Sequence, residues 1–151
     1  MMSPYKRALD ILRSTQNPVL VFVGPACRSW YVDREALEQL MVDLYYAAPY
    51  SVVHGGRLPF DGAVEATATA LGAPVSMVGP EFAVRFTREY TRDPGLVLGA
   101  TMLVAFPAEE ADGETEYPSE SADLGVVRQA KEEGIPVLVV RRSGKAVMEE
   151  A

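Results

Sequence analysis

The sequence predicts an α/β fold with a mainly parallel sheet of about five or more strands, formed by a single domain that spans residues 1–151. Two observations lead to this prediction. Short β-branched and aromatic runs alternate with amphipathic segments of about ten to fifteen residues, which is typical of strands joined by crossover helices. Runs such as Val19–Val23 contain no polar residue, which indicates strands buried on both faces, as in a parallel sheet.

The bounds of the elements follow from these runs and from the glycine, proline and aspartate residues that flank them. Asp33 and Asp61 are predicted N-caps, and Gly72 follows a helix at a position suited to a left-handed C-cap. After Arg142 the chain is expected to be frayed or weakly helical. The predicted helices cover residues 4–14, 34–46, 62–71, 80–91 and 122–133, and the predicted strands cover residues 19–23, 51–54, 74–78, 101–107 and 136–140.

Composition and charge restrict the class of protein. With 48% hydrophobic and 23% charged residues, and no apolar run near the length of a membrane span, the chain reads as an ordinary globular protein. A single cysteine, Cys27, predicts a reducing cytoplasm, and one cysteine with one histidine argues against a zinc site; no cofactor is expected. The net charge of −7 arises mostly in residues 109–151, and it argues against a broad nucleic-acid surface.

Two glycine turns are predicted at one edge of the sheet. Gly24 follows the first strand, and Gly55 with Gly56 follows the second, each ahead of a helix. Open parallel sheets bind ligands beyond the carboxyl ends of their strands. Glycine lets the backbone approach closely, and unpaired N–H groups at the positive end of a helix dipole suit a phosphate. We therefore predict an anion site there, with plain turn geometry as the alternative for each glycine.

Side chains near these turns offer further contacts. Arg28 and Arg57 could pair with phosphate oxygens, or be solvated. Trp30 and its neighbour Tyr31 could stack on a base or ribose, or pack as an ordinary aromatic pair.

The candidates for polar chemistry are few. His54 could donate to a ligand or act as an acid–base group, and its alternative is a structural role at the end of a strand. Glu65 could reach a ribose hydroxyl or face solvent, and Asp61 is most simply an N-cap; these two carboxylates are the weak catalytic candidates. The remaining predicted ligand-binding residues are Phe106, Pro107 and Ser121.

Four segments carry a resemblance to a known family. They are Val53-His54-Gly55-Gly56 with Asp61, Ala105-Phe106-Pro107, Gly24-Pro25-Ala26-Cys27-Arg28 in place of a Gly-Ser-Arg-like turn, and Arg128-Gln129-Ala130 with Gly134-Ile135-Pro136-Val137. In the order of these segments, over about residues 19–140, the chain resembles the SLOG superfamily, a Rossmann-like group that includes LOG (Lonely Guy) and DprA proteins, and most of all its YspA-type branch. The resemblance implies a Rossmann-like three-layer sandwich that binds nucleotides or nucleotide-derived small molecules.

The resemblance also bears on assembly and on catalysis. Many members of the group self-associate, and Tyr45 with Tyr46 offers a surface for a homodimer or higher homo-oligomer. Pro25 replaces a serine of the branch, and the acidic segment 108–120, a solvated loop or alternatively a lid, replaces a glycine-rich turn. The Pro-Gly-Gly-x-Gly-Thr-x-x-Glu motif of LOG phosphoribohydrolases is absent, so its catalytic glutamate has no counterpart.

Three functions therefore compete. The favoured one is binding of a nucleotide or nucleotide-derived small molecule, as a sensor or sequestering module. The alternative is a hydrolase or transferase that cuts an N-glycosidic bond, phosphoribohydrolase- or deoxyribosyltransferase-like, with Glu65 or Asp61 stabilising oxocarbenium character. The third, binding of single-stranded DNA, is disfavoured by the weak basic character of the chain.

Overall fold

A six-stranded, mostly parallel sheet with helices packed against it makes the fold of this protein α/β. A computed structural model describes residues 4–23, 30–54, 60–77, 100–106, 130–140 and 146–150, with the backbone alone at 30–33, 60–61 and 77. The elements, in chain order, are α1 Pro4–Arg13, β1 Val19–Val23, α2 Trp30–Ala47, β2 Ser51–His54, α3 Phe60–Leu71, β3 Val75–Met77, β4 Met102–Ala105, β5 Val137–Val140 and β6 Ala146–Glu149.

The strands lie in the order β3-β2-β1-β4-β5-β6. The first five are parallel, and β6 runs antiparallel to β5 at one edge. Prolines precede three of the strands, where a missing N–H costs no ladder bond. Their carbonyls still accept hydrogen bonds from neighbouring strands: Pro18 from Ser51, Pro74 from Val52 and Pro136 from Leu103, at 2.8–2.9 Å.

Apolar side chains fill both faces of the sheet. Even-numbered residues of the central strands, such as Leu20, Val52 and Val104, join one buried cluster with residues of α1, α2 and α3. Odd-numbered residues, such as Val21 and Leu103, form a second buried cluster that includes Ala130 of the helical turn at 130–132. Because successive strand residues point to opposite faces, the uninterrupted apolar runs of the sequence are explained by burial on both sides.

The two long helices begin earlier than their predicted N-caps. Helix α2 starts at Trp30 and α3 at Phe60, so Asp33 and Asp61 lie within the first turns of these helices and the N-cap prediction is wrong for both. The physical reason is that a carboxylate is favourable at several positions of a first turn, through the helix dipole as well as through capping. Aspartate thus marks the beginning of a helix without fixing its first residue.

The helix ends agree better with expectation. Gly72 has φ of 82°, the left-handed conformation predicted for a C-cap, and the Ala73 N–H donates to the Ala68 carbonyl oxygen at 2.9 Å. Gly134 has φ of 74°, and the Ile135 N–H donates to the Ala130 carbonyl oxygen at 2.8 Å. Both turns lead directly into a strand.

The segment after Arg142, expected to be frayed or weakly helical, contains strand β6, and that prediction is wrong. Two ion pairs tie β6 and the residue after it to the helices. The Arg7 guanidinium donates to both carboxylate oxygens of Glu150 at 2.7 and 2.9 Å, and Lys131 Nζ lies 2.8 Å from Glu149 Oε2. Pairing with β5, rather than local sequence preference, fixes the conformation of this segment.

The two adjacent tyrosines proposed as an association surface have different environments. The Tyr45 ring packs edge-on against Tyr50, with ring centroids 5.3 Å apart, whereas Tyr46 is 79% exposed. Of the pair, Tyr46 therefore supplies most of the exposed surface.

Among the described residues, no helix is both long enough and apolar enough to cross a membrane.

Candidate functional site

The carboxyl ends of adjacent strands meet at one edge of the sheet. Strand β1 ends at Val23, paired with Ala105 of β4, and β2 ends at His54, paired with Met77 of β3. The pairing of Val21 with Val53 fixes β1 beside β2, so the chain leaves both strands at this edge. The two predicted glycine turns therefore start from neighbouring strands.

Strand order reverses at this same place. From β1 the chain proceeds through β2 to β3 on one side, and it returns to place β4 and β5 on the other side. In open α/β sheets, the place where strand order reverses, beyond the carboxyl ends of the strands, is the usual ligand position, and here it falls at β1 and β4. The strand order alone thus indicates this edge of the sheet as the candidate ligand site.

Most of the predicted site residues lie outside the described part of the chain. Trp30 and Asp61 are described by their backbone alone, each in the first turn of a helix. The acidic segment 108–120 and the predicted helix 80–91 are likewise outside. The site residues not described are Gly24, Arg28, Gly55, Gly56, Arg57, Pro107 and Ser121.

His54 is the one buried polar or charged side chain among the described residues, with 3% of its surface exposed. It is the last residue of β2 and lies two residues after Val52. Because residues two apart in a strand point to the same face, His54 points with Val52 toward the face covered by α3. Its Nε2 atom lies 3.1 Å from Glu65 Oε1. An ionised carboxylate only accepts hydrogen bonds, so the contact is a hydrogen bond in the ring form that carries a proton on Nε2.

Glu65 stands on α3 at the margin of the buried face of that helix. Val64 and Ala68, four residues apart, are fully buried, while the Glu65 side chain next to Val64 is 56% exposed. One carboxylate oxygen contacts His54, and more than half of the side chain still reaches solvent. The result is a carboxylate held beside the end of β2 and accessible from outside.

The pairing of His54 with Glu65 was missed by sequence reasoning, which named both residues without joining them. A signal for it exists. A helix that follows a parallel strand runs back along the sheet, so the early turns of the helix lie beside the end of the strand. The separation of eleven residues, with a short connection at 55–59, is what such a contact requires.

Phe106 lies at the same edge with its side chain turned into the core. It is 1% exposed and belongs to the helix-covered cluster. Its N–H donates to the Val23 carbonyl oxygen at 2.9 Å, which extends the β1–β4 ladder by one bond. In this arrangement Phe106 presents little side-chain surface to a ligand and instead fixes the spacing of two strand ends.

A second concave surface lies between α1 and α2, with a cavity volume of about 280 Å³. Its lining is mostly apolar, with Gln39 and Asp43 as polar members. The described residues that line it include no arginine or lysine. The described lining of this groove therefore offers no cationic side chain to an anionic ligand.

The described residues contain no group of three or more histidine, cysteine, aspartate or glutamate side chains placed to hold a metal ion. Comparison of the chain with models of protein families, with curated proteins and with solved structures gave no match. The functional interpretation therefore rests on the geometry of the edge where β1, β2 and β4 end.

Proposed function

We propose that this protein binds a nucleotide or nucleotide-derived small molecule at the carboxyl edge of its sheet, as a sensor or sequestering module. The observation that supports this most is the adjacency of β1 and β2, whose ends lead into Gly24 and into Gly55-Gly56. Two glycine turns that start from neighbouring strands suit close approach of backbone N–H groups to a phosphate.

The strand order adds support. The order β3-β2-β1-β4-β5-β6 is that of the dinucleotide-binding α/β fold, although β6 here is antiparallel. Crossover helices α2 and α3 cover one face, and Ala130, on the β4–β5 connection, packs against the other. These contacts support our proposal of a Rossmann-like three-layer sandwich, the fold that the SLOG resemblance of the sequence implies.

Helix α3 contributes to the same edge. It begins at Phe60, six residues after the end of β2, and contacts β1, β2 and β3. The N–H groups of a first helical turn lack intrahelical partners, and the helix dipole places positive potential there. We propose that the phosphate of the ligand binds between the first turn of α3 and the predicted glycine turn after β1. We also expect the protein in the cytoplasm.

Thermal unfolding with a nucleotide panel tests the proposal. AMP, ADP-ribose, NAD and cyclic nucleotides are added separately to the full chain. A ligand at 100 times its dissociation constant adds about 2.7 kcal/mol to the free energy of unfolding. For a domain of this size the midpoint should rise by about 5–10 °C.

Matched glycine variants show where the ligand binds. Gly55→Val should abolish the ligand-induced rise, because a branched side chain blocks approach to the backbone. Gly134→Asn is the control, since Gly134 leads into the amino end of β5 at the opposite edge of the sheet. No rise with any nucleotide, or an equal rise in Gly55→Val, would refute the proposal.

A second function, cleavage of an N-glycosidic bond, is favoured by the His54–Glu65 contact. A carboxylate held by a buried histidine and open to solvent suits stabilisation of oxocarbenium character on a ribose carbon. Chromatography of AMP or NAD incubated with the protein for hours would detect released base. Release that Glu65→Gln eliminates supports the enzyme, and intact nucleotide leaves binding as the function.

A further inference from the structure

The carboxylate that lies beside the end of β2 belongs to Glu65 of α3 and not to a residue of the strand. In dinucleotide-binding sheets of this strand order, a carboxylate near the end of the second strand accepts hydrogen bonds from ribose hydroxyls. Here β2 ends in a histidine, and the carboxylate comes from α3 across the His54 Nε2–Glu65 Oε1 contact of 3.1 Å. The carboxylate beside the end of β2 is thus supplied by the following helix and not by the strand itself.

We propose that Glu65 recognises the ribose hydroxyls of the ligand, and that His54 is the positioning residue that aims its carboxylate at them. This inference rests on the proposed nucleotide-binding function. It specifies the chemical class of the ligand as a ribonucleotide, with the sugar hydroxyls bound near the end of β2.

Burial and exposure support this division of roles. His54 is 3% exposed, so it is held by packing and a ligand does not reach it directly. The Glu65 side chain is 56% exposed, and a carboxylate has acceptor capacity on both oxygens, so a contact on Oε1 leaves capacity for a hydroxyl. Fixing the carboxylate in advance lowers the entropy lost when the ligand binds.

A purely structural role for the pair predicts different behaviour. If Glu65 only satisfies the buried imidazole, its replacement alters stability and leaves sugar preference unchanged. If Glu65 binds the sugar, its replacement changes the ratio of affinities for ribose and deoxyribose forms of one nucleotide. The ratio is therefore the readout, because a general loss of stability does not move it.

Isothermal titration of the full chain with AMP, 2′-deoxy-AMP and 3′-deoxy-AMP measures that ratio. The wild type should bind AMP about tenfold more tightly than at least one deoxy form, the effect of one hydrogen bond to a charged acceptor. Glu65→Gln and Glu65→Ala should bring the ratio near one by weakening AMP alone. Glu38→Gln, an exposed carboxylate paired with Arg34 on α2, is the control and should keep the wild-type ratio.

Variants of the histidine test the positioning role. His54→Leu removes the donor, and the ratio should fall toward one, whereas His54→Gln retains an N–H donor and should restore part of it. If His54→Leu does not fold, the two Glu65 variants and His54→Gln decide the matter, and the thermal midpoint of each variant checks that it is folded.

The titrations distinguish failure of ribose recognition by Glu65 from failure of the proposed nucleotide binding. Equal binding of AMP and both deoxy forms by the wild type overturns ribose recognition and leaves nucleotide binding intact. A wild-type preference that persists in both Glu65 variants also overturns it. Absence of binding to any nucleotide of the panel overturns the proposed function and the inference together.

Discussion

Replacing Tyr50 with phenylalanine removes one buried oxygen atom and should lower stability by an amount that the structure sets. The Tyr50 hydroxyl donates to the Met41 carbonyl oxygen at 2.7 Å, and Tyr50 is 3% exposed. This bond joins the body of α2 to the residue that precedes β2, and so it helps to fix the strand whose far end carries His54.

We expect Tyr50→Phe to lower the free energy of unfolding by about 1 kcal/mol. A buried hydrogen bond contributes a net of about 0.5–1.5 kcal/mol. The Met41 carbonyl lies within α2, where helix geometry gives it the Tyr45 N–H as a second donor, so the acceptor is not left unsatisfied. The ring itself stays, with its edge-on contact to Tyr45 and its tilted contact to Phe22, so the space left empty is that of one hydroxyl oxygen.

Urea and thermal unfolding of Tyr50→Phe measure this cost. A loss of about 1 kcal/mol corresponds to a fall of about 2–4 °C in the midpoint for a chain of this length. Tyr46→Phe is the matched control, because Tyr46 is 79% exposed, and it should leave the midpoint unchanged. Equal midpoints for wild type and Tyr50→Phe, or an equal fall in both variants, would refute the reasoning.

Three further predictions concern pH, the core and a helix end. Burial, with a smaller contribution from Tyr45, raises the pKa of Tyr50 well above its ordinary value of about 10. Above that pH the unfolded chain releases the proton and the folded protein keeps it, so urea unfolding should show stability falling by up to about 1.4 kcal/mol per pH unit, less steeply in Tyr50→Phe. Leu103→Ala, in the fully buried central strand β4, should lower the free energy of unfolding by about 2–5 kcal/mol, while Val147→Ala on the half-exposed edge strand should change it by less than about 0.5 kcal/mol. Gly72→Ala should cost about 1–2 kcal/mol because φ is 82°, and Gly72→Asn should cost less; equal costs in thermal unfolding would contradict this.

The buried strands could be predicted because each is a single run of apolar residues in the sequence. Strands such as β1 and β5 are apolar at every position, and both faces of the sheet are covered. Strand β6 lacked such a signal. Its residues are mostly half-buried, and its conformation depends on pairing with β5 and on Glu150 contacting Arg7, 143 residues away in sequence. Local patterns do not report contacts at that distance.

The edge of the sheet at which β1, β2 and β4 end could be predicted from the sequence, because parallel strands all end on the same side. That a ligand binds at this edge stays a prediction. The His54–Glu65 contact depends on how α3 returns along β2, a matter of packing between Val64, Ala68 and the sheet. The roles of the glycine and arginine residues near the turns stay predictions.

The chain has one histidine and one tryptophan, and both lie next to the proposed site. His54 ends β2 just before one glycine turn, and Trp30 begins α2 just after the other. Imidazole nitrogen resonances would therefore consist of a single set, assigned without mutagenesis, and they would show which ring nitrogen carries the proton. Indole fluorescence would come from one emitter on the neighbouring connection. Two spectroscopic probes, native to the chain, can thus follow the two turns separately during one titration.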